Sequence, residues 1–263
     1  MGPARGKVYL VGAGPGAPDL LTVRAANLLA RADIVFHDAL VHPETIALAQ
    51  HAEKIPVGKR CGRHSTAQRF INKRLIDAAA RFRTVVRLKG GDPMLFGRAQ
   101  EEIDALRAAG VEFEVVPGIT AALAASAELG ISLTRRGVSR SVAFVTPRVG
   151  AGEDASDWIK SACSADSVAL YMAAGRMGQI AIKLIEGGLR PDTPVLIVED
   201  ATLPTMTQTA TTLDFLRHAE ERTVRGPALL LVGRVFERVG LQAGSAATRT
   251  EALQEIMAAA VCA

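Results

Sequence analysis

Apolar and polar residues alternate along the first half of the chain in blocks that predict strands and helices in turn. Val8–Val11 is a short apolar run that ends in a glycine turn, which is typical of a buried strand. Leu20–Ala32 then carries apolar residues at helical spacing, and Ile34–Phe36 is a second short strand that ends at Asp38. The same pattern continues with helices near Glu44–Gln50, Gln68–Arg81, Arg98–Ala109 and Thr120–Leu129 and with strands at Thr84–Leu88 and Glu112–Val116. This alternation predicts an α/β domain with a largely parallel sheet.

The second half of the chain predicts another α/β domain. Gly130–Ser141 is rich in Gly, Ser, Thr and Arg, and we place the domain boundary in it, between residues 136 and 137. The predicted segments after it are strands at Val142–Thr146, Ser167–Met172, Pro194–Val198 and Ala228–Val232 and a helix near Met177–Glu186. Composition does not decide whether the residues from about 241 onward form an amphipathic helix or a flexible tail.

Composition favours a soluble enzyme of the reduced cytoplasm. Hydrophobic residues make up 49% of the chain and charged residues 22%, and no apolar run approaches the roughly 20 residues that cross a bilayer. The three cysteines stand far apart, so neither a disulfide framework nor a zinc site is indicated. Aromatic residues at 4%, with no continuous basic run, argue against nucleic acid as a partner.

The charge balance changes the picture only slightly. The net charge is +4, and arginine outnumbers lysine by 24 to 7. Because a guanidinium pairs bidentately with carboxylate or phosphate, this skew suits a polyanionic ligand. Genomic base composition explains the same skew equally well.

The first motif is a glycine-rich turn, Gly12–Ala17, directly after the first predicted strand. It satisfies the G-x-G-x-x-G/A pattern, and Asp38 at the end of the next strand could bind a ribose hydroxyl. An NAD-binding Rossmann oxidoreductase is therefore one hypothesis. However, Pro15 lies among the amides that would contact a pyrophosphate and has no N–H to donate.

The second motif, Arg87–Arg98, is more specific and has the sequence R-L-K-G-G-D-P-M-L-F-G-R. Gly90 and Gly91 let a ligand approach the backbone closely, and the carboxylate of Asp92 can accept a hydrogen bond from a hydroxyl or an amine. A strand–turn–helix junction with a capping aspartate would explain Asp92 and Pro93, but not so many special residues in one loop.

The third motif, Val116–Ala122, again lies where a strand feeds a helix. Within it Thr120 is equally well explained as a plain helix N-cap. The three motifs therefore all follow the carboxyl ends of strands, which is where open α/β sheets bind their ligands.

Together these motifs resemble the tetrapyrrole methyltransferase family, and within it the branch of uroporphyrinogen-III C-methyltransferases, whose hallmark is R-L-K-G-G-D-P-x-x-F-G-R. The resemblance covers roughly residues 7 to 236 and includes Asp19–Thr22, Gly58–Arg60, Tyr171-Met172 and Gly226–Ala228. It implies a homodimer of chains with two α/β domains each, and S-adenosylmethionine bound in the cleft between the domains.

The resemblance also implies site residues. The implied cofactor contacts are Pro15, Gly90, Gly91, Asp92, Leu95, Phe96, Thr120 and Ala121, with Met172, Ala201 and Ala228 from the second half of the chain. Asp38 is implied as the proton acceptor and Lys59 as a proton donor. Arg98, with Arg60 and Arg63, is the candidate for pairing with the substrate's eight carboxylates. A sulfonium carries its own leaving group, so no metal is expected.

The implied reaction places two methyl groups on uroporphyrinogen III, at C-2 and C-7, to give precorrin-2. The product could feed sirohaem, cobalamin or haem d1, and a methyltransferase for a different precorrin is a second hypothesis. Departures from the family pattern at Arg135, Pro147-Arg148, Ala173 and Met206-Thr207 leave substrate and rate open. A chain of 263 residues has no room for the dehydrogenase and ferrochelatase module of some members, so methylation alone is expected.

Overall fold

The structure is a computed structural model that describes residues 6–57, 64–149, 157–218 and 226–237. The described chain separates into two compact units. The first runs to Glu128 and includes the later segment Asp200–Met206, and the second begins at Leu129. The boundary predicted between residues 136 and 137 lies further along the chain, inside the second unit, and stays a prediction.

The first unit alternates strands and helices as predicted. Its strands are β1 (Lys7–Gly12), β2 (Ile34–His37), β3 (Glu53–Pro56), β4 (Thr84–Lys89) and β5 (Phe113–Val116), and its helices are α1 (Val23–Ala30), α2 (Pro43–Ala47), α3 (His64–Ala79), α4 (Ala99–Ala108) and α5 (Ala121–Glu128). Only β3 has no counterpart among the sequence predictions for this unit. Apart from β3, these strands are short and mostly apolar, and β4 has five buried residues in succession, as expected of a strand covered on both faces.

The strands of the first unit form one parallel sheet in the order β3-β2-β4-β1-β5. One face packs on α1 and α2 through residues such as Val11, Val35 and Leu88. The other face packs on α3 and α4 through residues such as Leu10 and Phe36. The prediction of a largely parallel sheet is confirmed.

This strand order reverses the direction of the chain connections between β1 and β4. The two strands are neighbours, yet the helix that follows β1 covers one face of the sheet and the helix that follows β4 covers the other. In open α/β sheets, ligands bind outside the carboxyl ends of strands at such a reversal. The order also differs from the 3-2-1-4-5 order of a dinucleotide-binding fold, because β4 here lies between β2 and β1.

The second unit is also α/β, with a mixed sheet. Its strands are β6 (Val142–Val145), β7 (Ser167–Leu170), β8 (Pro194–Glu199), β9 (Thr207–Thr212) and β10 (Ala228–Gly233), and its helices are α6 (Trp158–Ser164), α7 (Met177–Glu186) and α8 (Leu213–His218). The described strands run in the order β6-β7-β10-β8-β9, with only β6 and β7 parallel. The four predicted strands and α7 are confirmed, whereas α6, β9 and α8 were not predicted.

A single carboxylate fixes the entry to the second sheet. Asp166 Oδ2 accepts hydrogen bonds from the backbone N–H groups of Arg140 and Ser141 and from the Ser141 hydroxyl, at 2.8, 3.0 and 2.9 Å. These bonds lower the pKa of Asp166 from its ordinary value of 3.8, and the bond from the Arg140 amide contributes most.

In the ranges given above, no helix is long and apolar enough to cross a membrane.

Candidate active site

Three loops meet at the carboxyl edge of the first sheet through glycine backbones. Gly14 and Gly91 exchange hydrogen bonds, with Gly91 N 2.7 Å from Gly14 O and Gly14 N 3.2 Å from Gly91 O. A Cβ atom on Gly118 would lie only 2.4 Å from Gly91 O, and one on Gly12 would lie 2.6 Å from Gly118 Cα. Side chains at Gly12 and Gly118 would therefore push the three loops apart.

Asp92 holds two of these loops together. Its Oδ2 atom accepts the backbone N–H of Gly118 at 2.9 Å, and its Oδ1 atom accepts that of Met94 at 2.8 Å. The first bond joins the loop after β4 to the loop after β5, and the second closes the turn that begins at Asp92. The observed contacts of Asp92 are therefore structural, and its predicted contact with the cofactor stays a prediction.

The loop after β4 exposes the backbone of Gly90 and Gly91 on its outer side, and we call these two residues the ridge. Gly90 is exposed, and among the described residues a Cβ atom there would meet Leu40, at 3.6 Å. Gly91 has φ +67°, and no described atom lies within 4 Å of its Cβ position. Apolar side chains flank the ridge, because Met94 and Phe96 are 58% and 39% exposed. A bare backbone beside exposed apolar groups fits a ligand that is both apolar and hydrogen-bonding.

Residues with strained backbone follow the carboxyl ends of strands in both units. The described non-glycine residues with positive φ are Phe96, Arg98, Met172, Asp200 and Thr202. All five lie in segments that directly follow β4, β7 or β8, and a β-branched residue such as Thr202 at φ +71° is unusual. Strained conformations cost of order 1–3 kcal/mol each and cluster at ligand sites. Two of the five are predicted cofactor contacts, and two others flank Ala201.

The segment Asp200–Met206 lies against the glycine turn within the first unit. The backbone N–H of Ala17 donates to Thr202 Oγ1 at 3.0 Å. A Cβ atom on Gly16 would meet the Leu203 side chain at 3.1 Å. These contacts place the buried residue Ala201 close to the turn that contains Pro15.

The hydrogen bonds of the glycine turn argue against the dinucleotide hypothesis. The amides of Ala13, Gly14 and Ala17 already donate to Lys89 O, Gly91 O and Thr202 Oγ1, and Pro15 has no N–H. A dinucleotide site needs these amides for the pyrophosphate, and it needs an open crevice where Gly14 and Gly91 are paired here. The match to G-x-G-x-x-A is therefore misleading.

A cluster of buried charges lies beneath the loops, on the face of β4 that α4 covers. Glu102 is fully buried and accepts Arg87 Nε at 3.0 Å and Lys89 Nζ at 2.9 Å. Arg87 Nη2 extends to Asp38 Oδ1 at 2.5 Å. Gln68 Nε2 donates to Glu102 Oε1 at 3.3 Å. We call Arg87, Lys89, Glu102 and Asp38 the buried quartet, in which two positive charges face two negative ones.

Burial acts on the two cations of the quartet in different ways. Burial, with a smaller contribution from the charge of Arg87, lowers the pKa of Lys89 from 10.5 in spite of its bond to Glu102. Burial also works against the charge of Arg87, but the carboxylates of Asp38 and Glu102 outweigh it and raise the pKa of Arg87. Arg87 therefore holds its proton more firmly than an ordinary arginine, whereas Lys89 holds its proton less firmly than an ordinary lysine.

A comparison with known protein families matches the part of the chain that contains these loops. The model of the tetrapyrrole (corrin/porphyrin) methylases matches residues 7–216, which includes all three loops and the quartet. The chain belongs to the tetrapyrrole methylase family. Its two α/β units, with a parallel five-stranded first sheet and a mixed second sheet in the described residues, are the tetrapyrrole methylase fold.

Three tetrapyrrole methylases illustrate the similarity. A siroheme synthase of Psychrobacter sp. (strain PRwf-1) is 46% identical over 88% of this chain, which spans about half (48%) of that protein's length. A uroporphyrinogen-III C-methyltransferase of Pseudomonas aeruginosa is 43% identical over 88% of this chain and 94% of its own. The structure of uroporphyrin-III C-methyl transferase from Thermus thermophilus, complexed with S-adenyl homocysteine, is 39% identical, with TM-score 0.77 over 88% of this chain and 99% of that one.

The structure brings most of the residues assigned from the family pattern to the carboxyl edge of the first sheet. Pro15, Gly90, Gly91, Asp92, Leu95, Phe96, Thr120, Ala121 and Ala201 belong to the first unit, in or directly after its loops. Met172 and Ala228 belong to the second unit, where Met172 is exposed and Ala228 begins β10. Lys59, Arg60 and Arg63 lie outside the described residues. All these ligand contacts stay predictions.

The two other residues predicted to take part in the reaction differ in their surroundings. Asp38 is half-buried and belongs to the quartet. Arg98 lies at the surface, where its Nε and Nη2 atoms bind Glu101 Oε1 and Oε2 at 2.6 and 2.7 Å. Within the described ranges, no three His, Cys, Asp or Glu side chains converge as a metal site. That no metal is used stays a prediction.

Sequence reasoning missed the other three members of the quartet. It assigned roles to the glycines of the R-L-K-G-G-D loop but none to its two cations. Arg87 and Lys89 stand two positions apart in an otherwise apolar strand, so their side chains point to the same face of a buried sheet. Buried cations need anionic partners, and this signal could have directed attention to the acidic residues of the next helix.

Proposed function

We propose that this chain is an S-adenosylmethionine-dependent methyltransferase that methylates uroporphyrinogen III at C-2 and C-7 and produces precorrin-2. The similarity to the Pseudomonas aeruginosa uroporphyrinogen-III C-methyltransferase over 94% of that protein supports the substrate. The complex of the Thermus thermophilus protein with S-adenyl homocysteine supports the methyl donor.

One observation carries the proposal. The R-L-K-G-G-D-P loop stands at the reversal point between β1 and β4, and its glycine ridge is open, although the surrounding glycines are packed backbone to backbone. A loop that is rigid below and bare above is preorganised for a ligand on its outer side. Gly90, Gly91, Leu95 and Phe96 would hold that ligand from the loop after β4, and Pro15, Thr120, Ala121 and Ala201 from the neighbouring loops.

S-adenosylmethionine supplies a methyl group on a positively charged sulfur that leaves as a neutral thioether. The chain's own contribution is alignment and proton removal. A new carbon–carbon bond forms on the tetrapyrrole as the methyl–sulfur bond breaks, and the methylated ring must lose a proton. We assign that proton to Asp38, because Arg87 fixes one of its oxygens while the residue remains partly open to solvent. Lys59 is the proposed proton donor.

Arg98 is the proposed contact for the carboxylates of the substrate. It lies at the end of the ridge, and its guanidinium is solvent-accessible and already binds a carboxylate in bidentate fashion, that of Glu101. A substrate carboxylate would exchange with Glu101 or bind beside it. We further propose that the protein works in the cytoplasm as a homodimer, without metal, nucleic acid or membrane.

Two measurements test the function. Calorimetric titration with S-adenosylhomocysteine and, separately, with NAD should show tight binding of the first and no binding of the second. Incubation with S-adenosylmethionine and freshly reduced uroporphyrinogen III should then give a product with two additional methyl groups in its mass spectrum. Binding of S-adenosylhomocysteine without methylation of uroporphyrinogen III, but with methylation of a later precorrin, would redirect the proposal to that substrate. Tight NAD binding without a response to S-adenosylhomocysteine would reject it.

A further inference from the structure

Glu102 is the most completely buried charge among the described residues of the first unit, and neither the cofactor assignment nor the proton transfer uses it. Its side chain has 0% exposure, and it belongs to α4 rather than to any of the three loops. Its partners Arg87, Lys89 and Gln68 are not among the residues to which a contact with the cofactor or the substrate is assigned. Its Oε1 atom instead accepts hydrogen bonds from Arg87 Nε and Gln68 Nε2, and its Oε2 atom accepts one from Lys89 Nζ.

Removing Glu102 would leave two buried cations with Asp38 as the one carboxylate that still pairs with them among the described residues. Arg87 and Lys89 are both 3% exposed as side chains, so water cannot replace the missing carboxylate. Arg87 is also the group that holds Asp38, through its Nη2 atom. Anything that moves the guanidinium of Arg87 therefore moves the carboxylate of Asp38.

The loop above the quartet depends on the same geometry. A Cβ atom on Gly97 would lie 3.2 Å from Lys89 Cε and 2.6 Å from Pro93 O, so the turn into α4 packs directly on the stem of Lys89. The backbone carbonyl of Lys89 accepts the N–H of Ala13 in the glycine turn. Lys89 therefore connects Glu102 to the loop that carries the ridge.

We infer that Glu102 is a positioning residue for methyl transfer: it balances Arg87 and Lys89, and through Arg87 it fixes the carboxylate of Asp38. This inference rests on the proposed function. Glu102 touches no substrate, so its effect passes through the orientation of Asp38 and should fall on kcat and not on binding of the methyl donor.

Activity gives the first part of the test. Glu102→Gln keeps the size of the side chain but removes its charge, and we expect it to lower kcat at least tenfold while the Kd for S-adenosylhomocysteine and the KM for S-adenosylmethionine change less than twofold. Lys89→Met combined with Glu102→Gln restores the charge balance and leaves an amide oxygen for Arg87 Nε. We expect this double variant to recover most of the lost kcat. Asp104→Asn, an exposed carboxylate on the same helix, is the control and should leave kcat unchanged.

Glu102→Asp covers the case in which Glu102→Gln does not fold. It keeps the charge, but its shorter side chain cannot reach both cations, and we expect a folded protein with a lower kcat. Normal kcat in either folded single variant, or a double variant that regains its Tm but not its kcat, would overturn the inference.

A second measurement needs no substrate and separates this inference from the proposed function. If Glu102 and Asp38 act on one guanidinium, Asp38→Asn should lower Tm more in a Glu102→Gln background than in the wild type, because the remaining carboxylate then has two cations to balance. Independent residues would give additive shifts in Tm, which would contradict the inference. If the wild-type protein shows this coupling but does not methylate uroporphyrinogen III, the quartet stands and the substrate assignment fails.

Discussion

Asp92 accepts the backbone N–H of Gly118 at 2.9 Å, although 26 residues separate them along the chain. The bond joins the loop after β4 to the loop after β5, at the place where their glycine backbones are closest. The loop that carries the ridge is thus fixed from the side by a carboxylate and from below by the quartet.

Replacing Asp92 by Ala should therefore weaken both folding and binding. The amides of Gly118 and Met94 lose their acceptor, which costs about 1–3 kcal/mol of the free energy of unfolding. Urea denaturation measures this loss, and calorimetry should show weaker binding of S-adenosylhomocysteine because the ridge is no longer held in place. As a control, Asp77→Ala removes only an exposed pair with Lys73 and should change the free energy of unfolding by less than about 0.5 kcal/mol. An unaltered free energy of unfolding in Asp92→Ala would show that the hydrogen bonds from Gly118 and Met94 to Asp92 do not stabilise the fold.

Gly91 and Gly130 have the same backbone strain, but only Gly91 belongs to the ridge. Alanine variants at the two positions therefore distinguish an effect on ligand binding from an effect on stability alone. Gly91 and Gly130 have φ of +67° and +63°, and neither has a described atom within 4 Å of its Cβ position. Alanine at either position should cost about 1–2 kcal/mol of the free energy of unfolding, because the left-handed conformation disfavours a side chain. Only Gly91→Ala should also weaken S-adenosylhomocysteine binding, by tenfold or more. Equal ligand affinity in the two variants would mean that the ridge does not carry the ligand.

Arg98→Ala should abolish most turnover while S-adenosylhomocysteine binding stays near that of the wild type. Arg98→Lys should restore turnover only in part, since a point charge cannot replace a bidentate fork. Arg107→Ala is the matched control, because Arg107 forms an exposed pair with Asp104 on the same helix. The bond between Arg98 and Glu101 is itself worth only about 0.3–0.5 kcal/mol as an exposed pair. Normal turnover by Arg98→Ala across a range of substrate concentrations would reject its role in substrate binding.

Asp166 should make the protein sensitive to acid. Its pKa in the folded protein is lower than the ordinary value of 3.8, so the stability it contributes is present above that value and is lost as the pH falls through the lowered pKa. The free energy of unfolding, measured between about pH 2 and pH 6, should therefore depend less on pH in Asp166→Asn than in the wild type. Glu186→Gln, an exposed carboxylate at the end of α7, should leave the profile unchanged. Identical profiles for the wild type and Asp166→Asn would contradict the prediction.

The strands and helices that sequence reasoning missed lack a clear apolar pattern. β3 is an edge strand of four residues, of which three are exposed and the last is proline, which an edge position tolerates. β9 consists of Thr, Gln and Ala at the edge of the second sheet, and none of its residues is buried. In contrast, β1, β2 and β4 are short, mostly apolar and largely buried, and their patterns predicted them correctly.

The residues of the candidate site likewise differ in how far the sequence predicts them. Glycines and prolines act on their own backbone, so Gly90, Gly91 and Pro15 could be singled out from the sequence. The need of Arg87 and Lys89 for an acidic partner on the next helix was open to sequence reasoning, but the choice of Glu102 depends on how α4 packs against β4. The positive φ of Thr202, whose hydroxyl accepts the N–H of the distant Ala17, likewise leaves no mark in the amino-acid pattern.

The hydrogen bond from Ala17 to Thr202 spans 185 residues, and this separation governs the order in which the chain can mature during its synthesis. Ribosomes add about 5–20 residues per second, so the glycine turn emerges roughly 10–40 s before the segment that it binds. Until then the first unit has its sheet and helices but lacks one wall of its ligand-binding loops. A nascent chain released before residue 206 would therefore carry the R-L-K-G-G-D-P loop without the support of Asp200–Met206, and the ability to bind S-adenosylhomocysteine should emerge late in translation.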